Sequence, residues 1–137
     1  MTMRVTLATD TVQRAHAALA HGDRDAAALA CDPLVRWTVS DGLPFGGVYD
    51  GVDEVECYFR ELNRHFSNLL VTLTEVVATS EVVVEQGTYR GMARESQIEF
   101  EAPFCVVWQL RDGRVYEVRE YADTAVLAAV LAPHYSN

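Results

Sequence analysis

An α+β fold is the class this sequence predicts, on three observations. Helical patterning is confined to the first half of the chain and to a short stretch near its end. After Asn68 come four long runs of β-branched and aromatic residues separated by turn signals. The two kinds of segment come in blocks and do not alternate as βαβ units would.

Asp10 or Thr11 offers a cap for a first, alanine-rich helix running through Gln13, Ala15 and Leu19 to about His21. Gly22 supplies a stop, and Asp23 restarts a second helix through Ala30. Asp32-Pro33 breaks it, because proline lacks the amide and disfavours helical geometry in the residue before it. Leu34 to Val39 predicts a strand. Ser40 to Gly51, with Gly42, Pro44, Gly46 and Gly47, predicts a loop. Val55, Phe59, Leu62 and Phe66 recur at helical spacing, so a third helix is expected from about Asp53 to Phe66. Leu69–Ala78, Val82–Arg90, Gln97–Leu110 and Val115–Tyr121 predict an antiparallel meander, with Asp112-Gly113 as its tight turn. Asp123 caps a last helix, Thr124–Leu131, ahead of Pro133.

The chain has 137 residues, half of them apolar, with 11 basic against 20 acidic side chains and a formal charge of −9. One domain over 1–137 is expected from that length, which can bury a core without staples. Nucleic acid and anionic membranes are excluded as partners by the acidic balance and the lack of a clustered basic footprint. Cys31, Cys57 and Cys105 have no metal or redox spacing and read as free thiols in a reducing compartment. MTMRVTLATD has no signal-peptide pattern, and no run is long enough to span a bilayer. A cytoplasmic location is the expectation, with no metal and no cofactor.

Period-two spacing puts Phe104, Val106, Trp108 and Leu110 on one strand face, and Val118, Glu120 and Ala122 on one face of the next strand. Glu120 is thus flanked by apolar residues, where desolvation would raise its pKa into the range a general acid or base needs. An ordinary ion pair with an arginine at the rim is the competing reading. Glu85 is a weaker second carboxylate: if it faces inward with Val83, it would approach Glu120 and share a proton with it. The competing reading is an outward Glu85 beside Gln86 and Thr88. His16 falls on the stripe of Val12 and Leu19, where a histidine is more often a core residue than a catalyst. His21, His65 and His134 read as solvated. Trp37 and Trp108 can supply aromatic walls or plain core. Strands such as Val82-Val83-Val84 are apolar on both faces, so a second copy of the chain is expected to cover the outer one.

The segments ALAHGDRDAAALACDPLVRW, PFGGVYDGVDEVECYF and VWQLRDGRVYEVREYADTAVL, in this order, resemble the SnoaL-like and ketosteroid-isomerase-like proteins of the nuclear-transport-factor-two-like superfamily. The resemblance covers about Thr11 to Leu131. It implies a cone-shaped barrel, a strongly curved and mainly antiparallel sheet wrapped around N-terminal helices, with a hydrophobic cavity and a homodimer through the outer sheet face. The family spans isomerases, polyketide cyclases, epoxide hydrolases, dehydratases and non-enzymatic modules.

Carried over position by position, the resemblance puts Ala15 where the ketosteroid isomerases have a tyrosine. It puts Trp37 at their base, and Val106 or Cys105 at their second aspartate. The usual apparatus of a steroid isomerase is therefore missing. Against SnoaL-type cyclases, Glu120 takes the position of the last-strand aspartate and Val106 that of the histidine. Asp123 also matches a frequent family position, although it suits a helix cap better. The expected function is a small-molecule-binding cavity, acting by cofactor-independent acid–base chemistry of isomerase, cyclase, dehydratase or epoxide hydrolase type. Glu120 is the candidate acid or base, Glu85 and His16 are weaker candidates, and Trp37, Phe59, Phe104, Val106, Trp108 and Val118 form the substrate-binding walls. The alternative is a non-catalytic hydrophobic-ligand-binding or dimerisation module.

Overall fold

Six residues of the first helix form its buried stripe: Ala8, Thr11, Val12, Ala15, Ala18 and Leu19, spaced three and four apart. In the computed structural model, which describes residues 3–132, that stripe carries helix α1 back to Met3–His21, ahead of the expected cap. Burial of Ala8 and Thr11 outweighs the local capping signal of Asp10. Gly22, at φ 70°, ends the helix in a left-handed turn. Its amide donates to Leu19 O and that of Asp23 to Ala18 O, the paired bonds of a Schellman stop. Asp23 caps α2 (Arg24–Ala30) by accepting from the Ala26 amide.

Strand β1 (Cys31–Val39) starts directly after α2 and contains Pro33. Its register shifts between Cys31 and Arg36, so proline lies where the ladder is interrupted. The expected loop contains a short edge strand, β2 (Gly47–Asp50), which pairs with β1 antiparallel. The Arg36–Asp50 ion pair, at 2.9 Å, joins the two at their exposed ends. Helix α3 (Gly51–His65) follows at once, with Glu54 accepting from the amide of its cap residue Asp50.

The meander β3 (Phe66–Ala78), β4 (Val82–Ala93), β5 (Glu99–Arg111) and β6 (Arg114–Ala122) lies as expected. The β5–β6 turn places Asp112 and Gly113 at φ 54° and 76°, as a tight hairpin turn requires. Helix α4 (Thr124–Leu131) is capped by Asp123, whose side chain accepts from the Val126 amide. Pro133 and His134 lie outside the described residues.

The strand order is β2-β1-β6-β5-β4-β3, a mixed, mostly antiparallel sheet of six strands in an α+β fold. β1 runs parallel to β6, joining the first strand to the last. Register shifts in β1, β3 and the β5–β6 pair bend the sheet into a cone around the helices. The cone does not close, because β2 and β3 remain as edges. The inner faces of β4, β5 and β6 carry the core with Trp37, Val35 and the buried stripes of the helices. Among the described residues no helix is long and apolar enough to cross a membrane.

Candidate functional site

Pairing across the sheet sets Glu85 opposite Val106, Val106 opposite Glu120, and Glu120 opposite Val39. These four residues form one row on the inner face. Two strand spacings of about 4.8 Å separate the carboxylate-bearing residues, with Val106 between them. Glu120 is 8% exposed, one of three buried polar or charged residues among those described.

Glu120 gains partners from two distant elements. Tyr58, on the inward side of α3, donates its hydroxyl to the Glu120 carboxylate. The hydroxyl of Tyr89, on the inner face of β4, acts on the same carboxylate and favours its charged form. The ring of Tyr89 is itself held by Phe104, stacked at 4.0 Å between centroids and 9° between planes. Desolvation raises the pKa of Glu120 above the usual glutamate range, and the two hydroxyls oppose part of that rise. Burial and the Glu120 charge together push both phenols well above their ordinary value, so they stay protonated as donors.

A cavity of about 330 Å³ opens beside this cluster. Glu120, Tyr58 and Tyr89 line it with Val39, Leu62, Leu69 and Val71, and with His16 from α1. Exposed Ala20, His21 and Asn63, at the C-terminal ends of α1 and α3, mark where it meets solvent. His16 lies 5.9 Å from the Phe59 ring and 6.2 Å from that of Trp108. Burial, with a smaller contribution from His21, lowers its pKa and keeps the imidazole neutral.

Of the residues singled out from the sequence, Glu120, His16 and Phe59 line the cavity. Trp37, Phe104, Val106, Trp108 and Val118 are buried in the core behind it and are not among its lining residues. Trp37 and Trp108 pack edge to face at 5.1 Å. Glu85 does not reach Glu120; its carboxylate accepts from Trp108 Nε1 at 2.7 Å. It is half-buried, and desolvation raises its pKa against the lowering effect of that bond. Trp37 Nε1 is buried with no hydrogen-bond partner among the described residues.

Sequence reasoning missed Tyr58 and Tyr89. Tyr58 does carry a signal, because it lies three residues after Val55 on the inward stripe of α3, where a buried phenol needs an acceptor. Tyr89 shares the inner face of β4 with Val83 and Glu85. Among the described residues no three His, Cys, Asp or Glu side chains converge as a metal site would require. The arrangement can bind an apolar molecule and exchange a proton with it at Glu120.

Solved structures share the whole architecture. An NTF2-like protein from Burkholderia xenovorans is 21% identical with a TM-score of 0.83, over 96% of this chain and 100% of its own. An NTF2-like protein of unknown function from Burkholderia pseudomallei is 27% identical with a TM-score of 0.81, over 93% and 98%. A protein from Jannaschia, described by its likeness to SnoaL-type polyketide cyclases, is 23% identical with a TM-score of 0.82, over 98% of each chain. No curated protein sequence gives a significant match. The fold is that of the NTF2-like α+β proteins. Residues 12–118 match the SnoaL-like domain, and the chain belongs to that family.

Proposed function

We propose that the cavity binds a small apolar organic molecule and carries out cofactor-independent acid–base chemistry on it, with Glu120 taking up or delivering the proton. The observation that carries this reading is a carboxylate set in the wall of a largely apolar cavity, hydrogen-bonded by the Tyr58 phenol and acted on by that of Tyr89. Desolvation raises its proton affinity above that of an ordinary glutamate, the direction a carboxylate acting as general base or acid at neutral pH requires. Tyr58 and Tyr89 orient the carboxylate, and the apolar walls keep water from the reacting atoms. His16, neutral and on the same wall, is a second polar contact for the ligand. Isomerisation, cyclisation, dehydration and epoxide opening all contain such a proton transfer.

Non-catalytic binding is the second reading, and one observation favours it. The Tyr58 hydroxyl donates to Glu120 and that of Tyr89 acts on the same carboxylate, which among the described residues leaves no cavity-lining tyrosine donor free for a ligand. Hydrogen exchange separates the two readings. Apolar cyclic ketones such as cyclohex-2-enone are incubated with the protein in deuterium oxide, and loss of the α-proton signals is followed by NMR. Acid–base function predicts exchange about 10²–10⁴ times faster with the wild type than with Glu120→Gln. A ketone that binds but exchanges equally fast with both proteins supports the binding reading and sinks the catalytic one.

We infer further that residues 1–137 form one domain that works in the cytoplasm as a homodimer. Support for pairing comes from Val77, Val84 and Val107, which stand opposite one another in a row across the outer face of β3, β4 and β5. Val77 is 58% exposed, and Tyr121 on β6 is 50% exposed on the same face.

A further inference from the structure

The aromatic residues of the cavity are more continuous than an apolar ligand alone requires. Phe45, Tyr58, Phe59, Phe66, Tyr89 and Phe100 all line it. Five of them form an unbroken series of rings. Centroid distances are 5.4 Å for Phe59–Tyr58, 6.2 Å for Tyr58–Phe45, 5.9 Å for Phe45–Phe66 and 4.9 Å for Phe66–Phe100. Glu120 opens into the same space.

Among the described residues no positive charge answers that carboxylate. The sequence contains no lysine, and among the described residues no arginine lines the cavity. The side chains acting on Glu120 are the phenols of Tyr58, from α3, and Tyr89, from β4. From α1, His16 is held neutral by burial, and His21 lies exposed at the helix end with Nδ1 donating to Ala17 O. A buried carboxylate without a cation is neutralised either by a proton or by positive charge on a ligand. Aromatic faces attract cations through the ring quadrupole. An anionic ligand would be repelled by Glu120, and the overall charge of −9 draws cations towards the protein.

We infer that the cavity takes an apolar organic cation, a tertiary or quaternary ammonium compound, with its charge against Glu120 and its hydrocarbon groups against the ring wall. The inference rests on the reading of this cavity as a ligand site and names the chemical class of the ligand.

The test uses two molecules of nearly the same shape, trimethylphenylammonium and uncharged tert-butylbenzene, titrated into the full chain at pH 8 with aromatic chemical shifts as the readout. The ammonium compound is expected to bind about tenfold tighter or more. In Glu120→Gln that preference should fall to about twofold or less, while affinity for tert-butylbenzene stays unchanged. Equal affinity of the wild type for both molecules would overturn the cationic assignment and leave the cavity standing as an apolar ligand site. A preference that survives in Glu120→Gln would overturn the role of Glu120 as counter-charge. If neither molecule binds the wild type, the reading of the cavity as a ligand site fails with it. The wild-type comparison needs no variant, so it stands even if Glu120→Gln folds poorly.

Discussion

Tyr58 and Glu120 lie 62 residues apart in the chain and meet in the cavity wall, the phenol of α3 donating to the carboxylate of β6. The bond ties the helix that roofs the cavity to the strand that floors it. Tyr89 completes the arrangement from β4, so one carboxylate links three elements.

Removing the Tyr58 hydroxyl should therefore act on both stability and chemistry. Tyr58→Phe leaves a buried acceptor short of one donor, at a cost of about 1–3 kcal/mol in chemical denaturation. The same change removes an interaction that lowers the Glu120 pKa, so the midpoint assigned to Glu120 should move further up. A midpoint unmoved or lowered in Tyr58→Phe would show that the hydroxyl does not act on the carboxylate.

Glu120 should also make stability depend on pH, with a defined sign. Its folded-state pKa is raised above the unfolded value of about 4.3, so the folded protein holds the proton more tightly. The resulting contribution is complete below the unfolded value. It is lost as pH rises from there through the folded-state value. Glu85 acts in the same direction and His16 in the opposite one, because its lowered pKa favours folding at higher pH. The difference between Glu120→Gln and the wild type isolates Glu120. The melting temperature of the variant relative to wild type should increase as pH rises from 4 to neutrality, and a constant offset would count against a raised pKa.

The two tryptophans should respond unequally to the same substitution. Trp108→Phe strands the half-buried Glu85 carboxylate without its indole donor and should cost about 1–2 kcal/mol beyond the lost ring volume. Trp37→Phe removes a buried N–H that has no partner among the described residues, so only the volume is lost. Paired denaturation curves should rank Trp108→Phe as the more damaging change. The reverse order would contradict the assigned role of the Trp108–Glu85 bond.

What the sequence disclosed follows the range of the signals. Period-two spacing put Val118 and Glu120 on one face of β6, and both are buried there. Caps at Asp23 and Asp123 and the Asp112-Gly113 turn are local features and lie where expected. The β2 strand was not legible because glycines dominate its surroundings, and its four residues gain ladder bonds only from β1. The parallel β1–β6 pairing joins distant segments and leaves no mark in either. Spacing reports which face a side chain takes, not how deep it lies, so Trp37 and Trp108 could not be told from cavity walls. For the same reason the partners of Glu120 stayed hidden until the fold brought α3 and β4 to it.

The proposed dimer makes its own prediction. Val107→Arg places a charge at the β5 end of the Val77–Val84–Val107 row while leaving the inner face of β5 untouched. Sedimentation should show a dimer for the wild type and a monomer for the variant, with melting in the same cooperative manner. A wild-type monomer at micromolar concentration would remove the second copy from the account.

The central claim is that Glu120 is a proton-exchanging group facing a ligand cavity, and carbon NMR of the glutamate carboxyl groups tests it most directly. Assigned through Glu120→Gln, the Glu120 signal should titrate with a midpoint clearly above the usual glutamate value of about 4.3 and should move when cyclohex-2-enone is added. A midpoint at or below that value, with a signal indifferent to the ketone, would contradict the account.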